Sequence, residues 1–150
     1  MKNLSFLSVA FLIFSILFFS GCKKEEELST KDKLIGKWKY ETLKFEQYIN
    51  GELTNSGTDT VRGTTIEFRA NDTYASTYEI APNQPSVTTT GNWTIDQSNK
   101  IVLGDIGNRQ VLQLQEITET TMILIEEAEE IADDGNAYGY RNEASLIKQQ

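Results

Sequence analysis

The sequence contains no histidine, and its only cysteine is Cys22. The missing histidine removes the commonest general base and the commonest transition-metal ligand. A single cysteine allows neither an intrachain disulfide nor a cluster of thiolate ligands. The sequence also lacks a nucleophile elbow, a phosphate-binding loop and a zinc motif. We therefore expect a protein that is not an enzyme and that requires no metal or cofactor.

Basic residues and prolines are also scarce. The chain has 14 Lys and Arg against 22 Asp and Glu, so it lacks the basic surface that binding to nucleic acid requires. Its two prolines, Pro82 and Pro85, fall in one predicted loop. Six Tyr, seven Phe and two Trp supply enough large side chains for a core. The composition therefore predicts one folded, acidic domain.

The only long hydrophobic run lies at the N-terminus, in residues 4–19. A helix of that length spans about 24 Å, which is shorter than a hydrocarbon core of about 30 Å. This length favours a secretory signal peptide over residues 1–21. An uncleaved single-pass anchor is the alternative. The acidic and basic stretch at residues 22–33 has no apolar stripe, so we expect a solvated tether before a domain at residues 34–150.

The remainder of the chain alternates polar and apolar residues, which predicts short β-strands. Residues 52–63 are polar and rich in Thr and Gly, so they are either a ragged hairpin or a long loop at a barrel mouth. The apolar phase of the first strand changes near Thr42-Leu43, which indicates a β-bulge. The other predicted strands are separated by turn residues such as Asn50-Gly51 and Asp134-Gly135. The eight strands are predicted at residues 36–49, 64–70, 73–80, 87–96, 100–103, 109–117, 121–131 and 138–148.

This order of strands predicts an all-β fold. Consecutive antiparallel strands form an up-and-down meander, and a meander of about eight strands closes because closure removes its free edges. The interior of such a small barrel holds either side chains or one small ligand.

Several motifs occur in an order that resembles the lipocalin-like domains of Bacteroidota-type cell-envelope lipoproteins. Phe18-Phe19-Ser20-Gly21-Cys22 resembles the lipobox that precedes a lipidated cysteine. The other motifs are Leu34-Ile35-Gly36-Lys37-Trp38, the segment from Phe68 to Tyr74, Gly91-Asn92-Trp93, and the segment from Ile117 to Leu124. The resemblance covers residues 34–148.

The resemblance implies a location as well as a fold. Cys22 would carry palmitate and related acyl chains, and would hold the protein in the lipid bilayer of the outer membrane. The lysines and glutamates after Cys22 resemble an export signal, which would place the protein on the cell surface; a plain spacer is the alternative. Gly36 and Trp38 would plug the closed end of the barrel. Arg141 and Arg109 are the candidates to stack on Trp38.

The aromatic residues on the inward phase of the strands predict a ligand cavity. A small apolar or amphipathic ligand would lie away from Trp38 and toward Trp93, with residues 52–63 as its lid. Each of these aromatic side chains has the alternative of filling the core. The candidate cavity residues are Trp93, Tyr40, Tyr74, Tyr78 and Phe68.

Two other functions are compatible with the sequence. A barrel filled by side chains would act as a surface module that binds a partner protein or an envelope glycan, with the acidic residues 126–134 as a contact. A hydrolase using two carboxylates is less well supported, since the sequence cannot place a pair across a cleft. The same acidic residues lack the spacing of a calcium loop, so a solvated strand end is the simpler interpretation. The oligomeric state is left open.

Overall fold

The protein is an antiparallel β-structure with one short helix, and the computed structural model describes residues 28–79, 84–105 and 109–150. The signal segment, Cys22 and the start of the tether lie outside the described residues. No helix among the residues described is both long and apolar enough to cross a bilayer. The elements are α1 (Thr30–Leu34), β1 (Gly36–Ile49), β2 (Glu52–Thr60), β3 (Thr65–Phe68), β4 (Thr73–Glu79), β5 (Ser86–Ile95), β6 (Lys100–Leu103), β7 (Gln110–Ile117), β8 (Thr121–Ile131) and β9 (Ala137–Lys148).

Eight of the nine strands close into a barrel. From β3 to β9 each strand pairs with the next along the chain, and β1 closes the sheet by pairing with β3 and with β9. The ninth, β2, forms a hairpin with β1 and lies at the edge of the sheet. The predicted all-β meander closing into a barrel of about eight strands is confirmed. In the polar segment at residues 52–63, for which a loop was an alternative, Glu52–Thr60 form a hairpin strand whose pairing with β1 has a register shift between Gln47 and Tyr48.

The long strand β1 serves both the barrel and the hairpin. Its first residues, Gly36 to Lys39, pair with β3, whereas Thr42 to Ile49 pair with β2. The register with β9 shifts between Tyr40 and Thr42, where a bulge interrupts the pairing. The bulge keeps Trp38 and Leu43 on the same, inward face although five residues separate them. A bulge near Thr42-Leu43 was predicted, and it lies one or two residues earlier.

Beyond the barrel, four strands continue as an open sheet. Strand β8 pairs with β7 only as far as Ile125, whereas it pairs with β9 to Ile131. The four-stranded part formed by the C-terminal half of β1, β2 and the paired ends of β8 and β9 is called the extended sheet (residues 42–60 and 126–142). Its two turns touch, since Asn50 accepts a hydrogen bond from the Ala137 N–H (2.9 Å) and donates from its own N–H to the Ala137 carbonyl (2.8 Å).

The opposite end of the barrel is closed by α1. Ser29 is the N-cap of this helix and accepts a hydrogen bond from the Asp32 N–H (3.1 Å), which satisfies one of its free donors. Leu34 at the end of α1 is fully buried against the barrel interior.

The core fills the barrel with apolar side chains that alternate along the strands. Its buried members include both tryptophans, and Tyr40, Leu43, Ile35, Ile95 and Ile117 pack against it while partly exposed. No buried side-chain nitrogen or oxygen among the described residues lacks a hydrogen-bond partner. The buried core consists of Leu34, Trp38, Ile66, Phe68, Tyr74, Trp93, Ile101, Leu103, Leu112, Leu114, Met122, Leu124, Ala144 and Leu146.

Candidate functional site

Trp38 lies at the closed end of the barrel, where α1 covers it. Its indole N–H donates to the Leu34 carbonyl (2.8 Å), and the ring is fully buried. The cation above this ring is Lys148, whose Nζ lies 5.1 Å from the ring centroid and donates to the Lys33 carbonyl (2.9 Å). The expectation that Arg141 stacks on Trp38 is wrong, because Arg141 is held by carboxylates on the far part of the sheet; stacking by Arg109 stays a prediction.

Trp93 and Phe68, two predicted cavity residues, lie at the same end of the barrel as Trp38. Their rings meet edge to face with centroids 5.1 Å apart, and both are 1% exposed. The Trp93 indole N–H donates to the Arg69 carbonyl in the β3–β4 turn (3.2 Å), and the Lys31 Nζ lies 5.6 Å from the ring centroid. Trp38 and Trp93 therefore do not mark opposite ends of the barrel.

The three tyrosines predicted to line a cavity lie at different positions along the barrel axis. Tyr74 is buried next to Phe68, and its ring lies against Gly91, where an added Cβ would be 2.9 Å from it. Tyr40 packs on the core from the level of the bulge. Tyr78, at the open end of β4, is 41% exposed. A part for Trp93, Phe68 and the three tyrosines in ligand binding stays a prediction.

The open end carries a groove on the inward face of the extended sheet. It has a volume of about 410 Å³. Three exposed apolar side chains dominate it: Ile49, Tyr138 and Tyr140, with 37%, 43% and 39% of their surface exposed. These residues belong together because Ile49 pairs with Tyr138 across β1 and β9, while Tyr140 pairs with Gln47. The mouth groove is lined by Gln47, Tyr48, Ile49, Thr54, Ala128, Glu129, Glu130, Tyr138, Gly139 and Tyr140.

A carboxylate lies on the same face, between the mouth groove and the core. Glu126 pairs with Asn142, one step toward the barrel from the Ala128–Tyr140 pair. Its carboxylate accepts a hydrogen bond from the Gln110 amide (2.9 Å). Burial, followed by the charge of Glu126 and a hydrogen bond to it, raises the pKa of Tyr140. Burial, followed by the charge of Glu126, raises the pKa of Tyr40 to about 12.

The opposite, outward face of the extended sheet is covered by ion pairs. The Arg141 guanidinium contacts Glu127 (3.0 Å), Glu143 (2.9 Å) and Glu46 (3.5 Å). Lys44 contacts Glu46 at 2.8 Å. Hydrogen bonds from Lys44 and then Tyr48 hold the pKa of Glu46 below its usual value. The basic side chains of this region are therefore bound to carboxylates on the face away from the mouth groove.

The acidic residues 126–134 form the end of β8 and the following turn. Asp134 accepts hydrogen bonds from the Asn136 N–H (2.9 Å), the Asn136 amide (2.9 Å) and the Tyr138 hydroxyl (2.9 Å). The Asn136 bonds, which are the largest cause, and the Tyr138 bond hold the pKa of Asp134 below its usual value. Within residues 28–79, 84–105 and 109–150, no group of three or more acidic, Cys or His side chains is placed to hold a metal ion.

Sequence reasoning did not single out Ile49, Tyr138 or Tyr140 as site residues, and it considered Glu126 only as part of an acidic contact for a partner. A signal was present, since Tyr138-Gly139-Tyr140 and Glu126-Glu127-Ala128 each alternate with a period of two. The pattern does not give the pairing register of the strands, and this register decides which of the alternating residues lie on the inward face.

Comparisons with known proteins identify a family for this chain. The model of a family described as "Lipocalin-like domain" matches residues 34–124. No curated protein sequence matches the chain. Among solved structures, a deswapped triple mutant of bovine odorant-binding protein has 12% sequence identity, a TM-score of 0.41, and coverage of 78% of this chain and 74% of that chain. Bovine odorant-binding protein with its natural ligand has 13% identity, a TM-score of 0.42, and coverage of 85% and 78%. Structural similarities with TM-scores this low carry no argument about the fold or function of this chain.

Proposed function

We propose that this chain, which belongs to the lipocalin-like domain family, is a membrane-anchored protein that binds a small apolar or amphipathic ligand at the open end of its barrel. The observation that carries the proposal is the mouth groove. Its volume of about 410 Å³ falls in the range of about 300–1,000 Å³ that is usual for ligand sites. Ile49, Tyr138 and Tyr140 line it with exposed apolar surface, and polar groups at its margins would orient a bound molecule.

The site differs from the one expected from the sequence. Side chains fill the barrel around Trp38 and Trp93, so we propose that the ligand lies above Tyr40 on the extended sheet. The strand β2, in the segment proposed as a lid, forms one side of the groove through Thr54. The turn contacts between Asn50 and Ala137 hold the two hairpins together, so the groove is formed before a ligand arrives.

A neutral apolar dye tests the proposal directly. We expect N-phenyl-1-naphthylamine to bind the purified chain at one site with a rise in its fluorescence. Tyr140→Ala and Tyr138→Ala each remove aromatic contact area, so each weakens binding about tenfold or more. Val111→Ala is the matched control, because Val111 is 47% exposed and lies outside the mouth groove. Binding that is absent, or that is unchanged in both tyrosine variants, contradicts the proposal.

The membrane anchor is part of the proposal and rests on the N-terminal sequence. Cys22 follows the hydrophobic segment directly, and the stretch between it and the N-cap Ser29 spans at most about 25 Å. Because α1 and the start of β1 lie at the closed end, an anchored chain would hold its closed end near the bilayer. The mouth groove would then face away from the membrane.

A surface interaction module is the second candidate, and one observation favours it. Strand β2 has β1 as its single neighbour, and its residues are exposed apart from Gly57. Such a free edge can pair with an extended partner segment. Chemical cross-linking in intact cells, compared between the natural chain and a Leu53→Lys variant, tests this, because Leu53 is an exposed residue of β2 outside the mouth groove and a lysine on an edge strand opposes strand pairing. A cross-linked protein or envelope glycan that the variant loses would support the module over the ligand carrier.

We propose binding rather than catalysis for either candidate. Three of the carboxylates, those of Glu46, Glu127 and Glu143, are engaged by Arg141 on the outward face. A hydrolytic activity that disappears on alanine substitution of one carboxylate would contradict this part of the proposal.

A further inference from the structure

We infer that the mouth groove selects a small organic cation with an apolar tail over neutral or anionic molecules with the same tail. The inference rests on the proposed function, because it names the class of ligand for that same groove. It follows from how the charges of the extended sheet are divided between its two faces.

The inward face of the extended sheet carries carboxylates that form no ion pair with a basic side chain in the described part of the chain. Glu126, Ala128 and Glu130 alternate along β8 and pair with Asn142, Tyr140 and Tyr138 of β9. Of the described residues that line the mouth groove, Glu130 lies on this inward face and none is Lys or Arg, and Glu126 lies on the same face next to the groove. A ligand in the groove therefore meets negative charge that the protein itself does not neutralise.

The outward face carries the cations of the same strands. Lys44 and Arg141 alternate out of phase with Ile49, Tyr138 and Tyr140, and both contact carboxylates of their own face. Because these contacts hold the guanidinium with three carboxylates, Arg141 is not free to turn into the groove. The strand register thus places Glu126 and Glu130 on the inward face of the extended sheet, and Lys44 and Arg141 on its outward face.

The Glu126 carboxylate is oriented by a hydrogen bond from a neighbouring strand. The Gln110 amide of β7 donates to its carboxylate at 2.9 Å, and the carboxylate lies near the hydroxyl groups of Tyr140 and Tyr40, whose pKa values it raises. A positioned carboxylate beside apolar surface binds a cation more strongly than one in open water, because the local dielectric constant is lower.

The aromatic side chains of the groove favour the same class of ligand. An ammonium group next to the ring faces of Tyr138 or Tyr140 gains a cation–π interaction, whereas an anion is repelled there. An apolar tail of the same molecule would cover Ile49, which is 37% exposed. The carboxylates, the rings and the apolar surface together match an amphipathic amine or a quaternary ammonium compound.

The test compares three molecules that share one tail. Decyltrimethylammonium, decanol and decanoate are titrated into the purified full chain below their micelle concentrations, and binding is followed by calorimetry. We expect the cation to bind about tenfold or more tightly than decanol, and decanoate to bind most weakly. Raising the salt concentration should narrow the difference, since exposed charges are screened.

Variants in which a glutamate is replaced by glutamine show which carboxylates cause the preference for the cation. Glu126→Gln and Glu130→Gln should each reduce the affinity for the cation several-fold and leave the affinity for decanol unchanged. Glu119→Gln is the control, because Glu119 is an exposed residue of the β7–β8 turn at the closed end and its substitution changes the net charge equally. Thermal unfolding of each variant shows whether the barrel is intact, and Glu130→Gln tests the inference even if Glu126→Gln does not fold.

The outcomes separate this inference from the proposed function. If decanol binds but the cation binds no more tightly than decanol, the cation preference is wrong and the apolar site stands. If Glu119→Gln reduces cation binding as much as Glu126→Gln and Glu130→Gln do, net charge rather than the groove is responsible, and the inference fails. If none of the three molecules binds, both the inference and the proposed function fail.

Discussion

Gly36 shows how a single residue allows the closed end to form. Its φ of +134° is a conformation that L residues rarely adopt, and an added Cβ would lie 2.6 Å from the Lys148 Cε. A side chain here would strain the backbone and displace Lys148, the cation that lies on Trp38. In the motif Gly36-Lys37-Trp38, Gly36 therefore allows the backbone conformation and Trp38 packs in the core.

Substitution of this glycine should lower stability. We expect Gly36→Ala to reduce the free energy of unfolding by about 1–3 kcal/mol because of backbone strain, measured by urea denaturation. Gly135→Ala is the control, since φ is +81° there and no atom lies within 4 Å of the added Cβ. Equal losses in the two variants would show that the closed end imposes no additional constraint on Gly36.

Tyr40 makes the stability of the barrel depend on pH in the alkaline range. Burial, followed by the charge of Glu126, raises its pKa from 10.0 to about 12, so the folded state favours the neutral hydroxyl. This contribution to stability is fully present below pH 10 and is lost as the pH rises from 10 to 12. The difference corresponds to on the order of 2–3 kcal/mol.

Tyr40→Phe should remove this part of the pH dependence. The natural chain should lose stability between pH 10 and pH 12 more steeply than the variant, as measured by denaturant unfolding at several pH values. Tyr78→Phe serves as the control, because Tyr78 is largely exposed at the open end of β4. Identical pH profiles for the natural chain and Tyr40→Phe would contradict the assignment.

At the scale of elements, the extended sheet depends on contacts between its two turns. Asn50 has a φ of +52°, which asparagine tolerates better than most residues. Its side chain accepts from the Ala137 N–H (2.9 Å) and donates to the Asn136 side chain (2.9 Å). These bonds join the β1–β2 hairpin to the β8–β9 hairpin and so shape the mouth groove between them.

Asn50→Ala should loosen the extended sheet while the barrel stays folded. The loss of two hydrogen bonds corresponds to about 1–2 kcal/mol, and we expect faster amide hydrogen exchange at residues 48–52 and 136–139. Asn55→Ala is the control, since Asn55 is bonded within the β1–β2 hairpin, to Gln47 (3.1 Å). Unchanged exchange at the turns of Asn50→Ala would show that these contacts do not hold the hairpins together.

For the whole molecule, the described chain begins at the closed end, opposite the mouth groove, and the proposed anchor Cys22 precedes it outside the described residues. We expect radiolabelled palmitate to be incorporated by the natural chain and not by Cys22→Ala, because Cys22 is the only thiol. Ser20→Ala keeps a small side chain before the cysteine and should still be labelled. Label that persists in Cys22→Ala would contradict the lipoprotein proposal without affecting the barrel.

Most of the fold could be predicted from the sequence because strand pairing in a meander is local. The alternation around Trp38, the turn at Asn50-Gly51 and the phase change near Thr42 each depend on neighbouring residues only. The site could not be predicted in the same way. Tyr40 and Trp93 both belong to inward faces, yet Trp93 is fully buried at the closed end whereas Tyr40 lies at the bulge, below the open end.

The sequence by itself determined an acidic all-β barrel, its turns and its bulge, because periodicity and turn chemistry are local properties. Only the tertiary structure decided which end is filled, which cation covers Trp38 and where the carboxylates point. Those features depend on register between strands that are distant in sequence, such as Ile49 beside Tyr138 and Gln110 beside Glu126. A shift of one residue in that pairing would exchange the two faces of the extended sheet, so the charge of the mouth groove is a property of the folded chain.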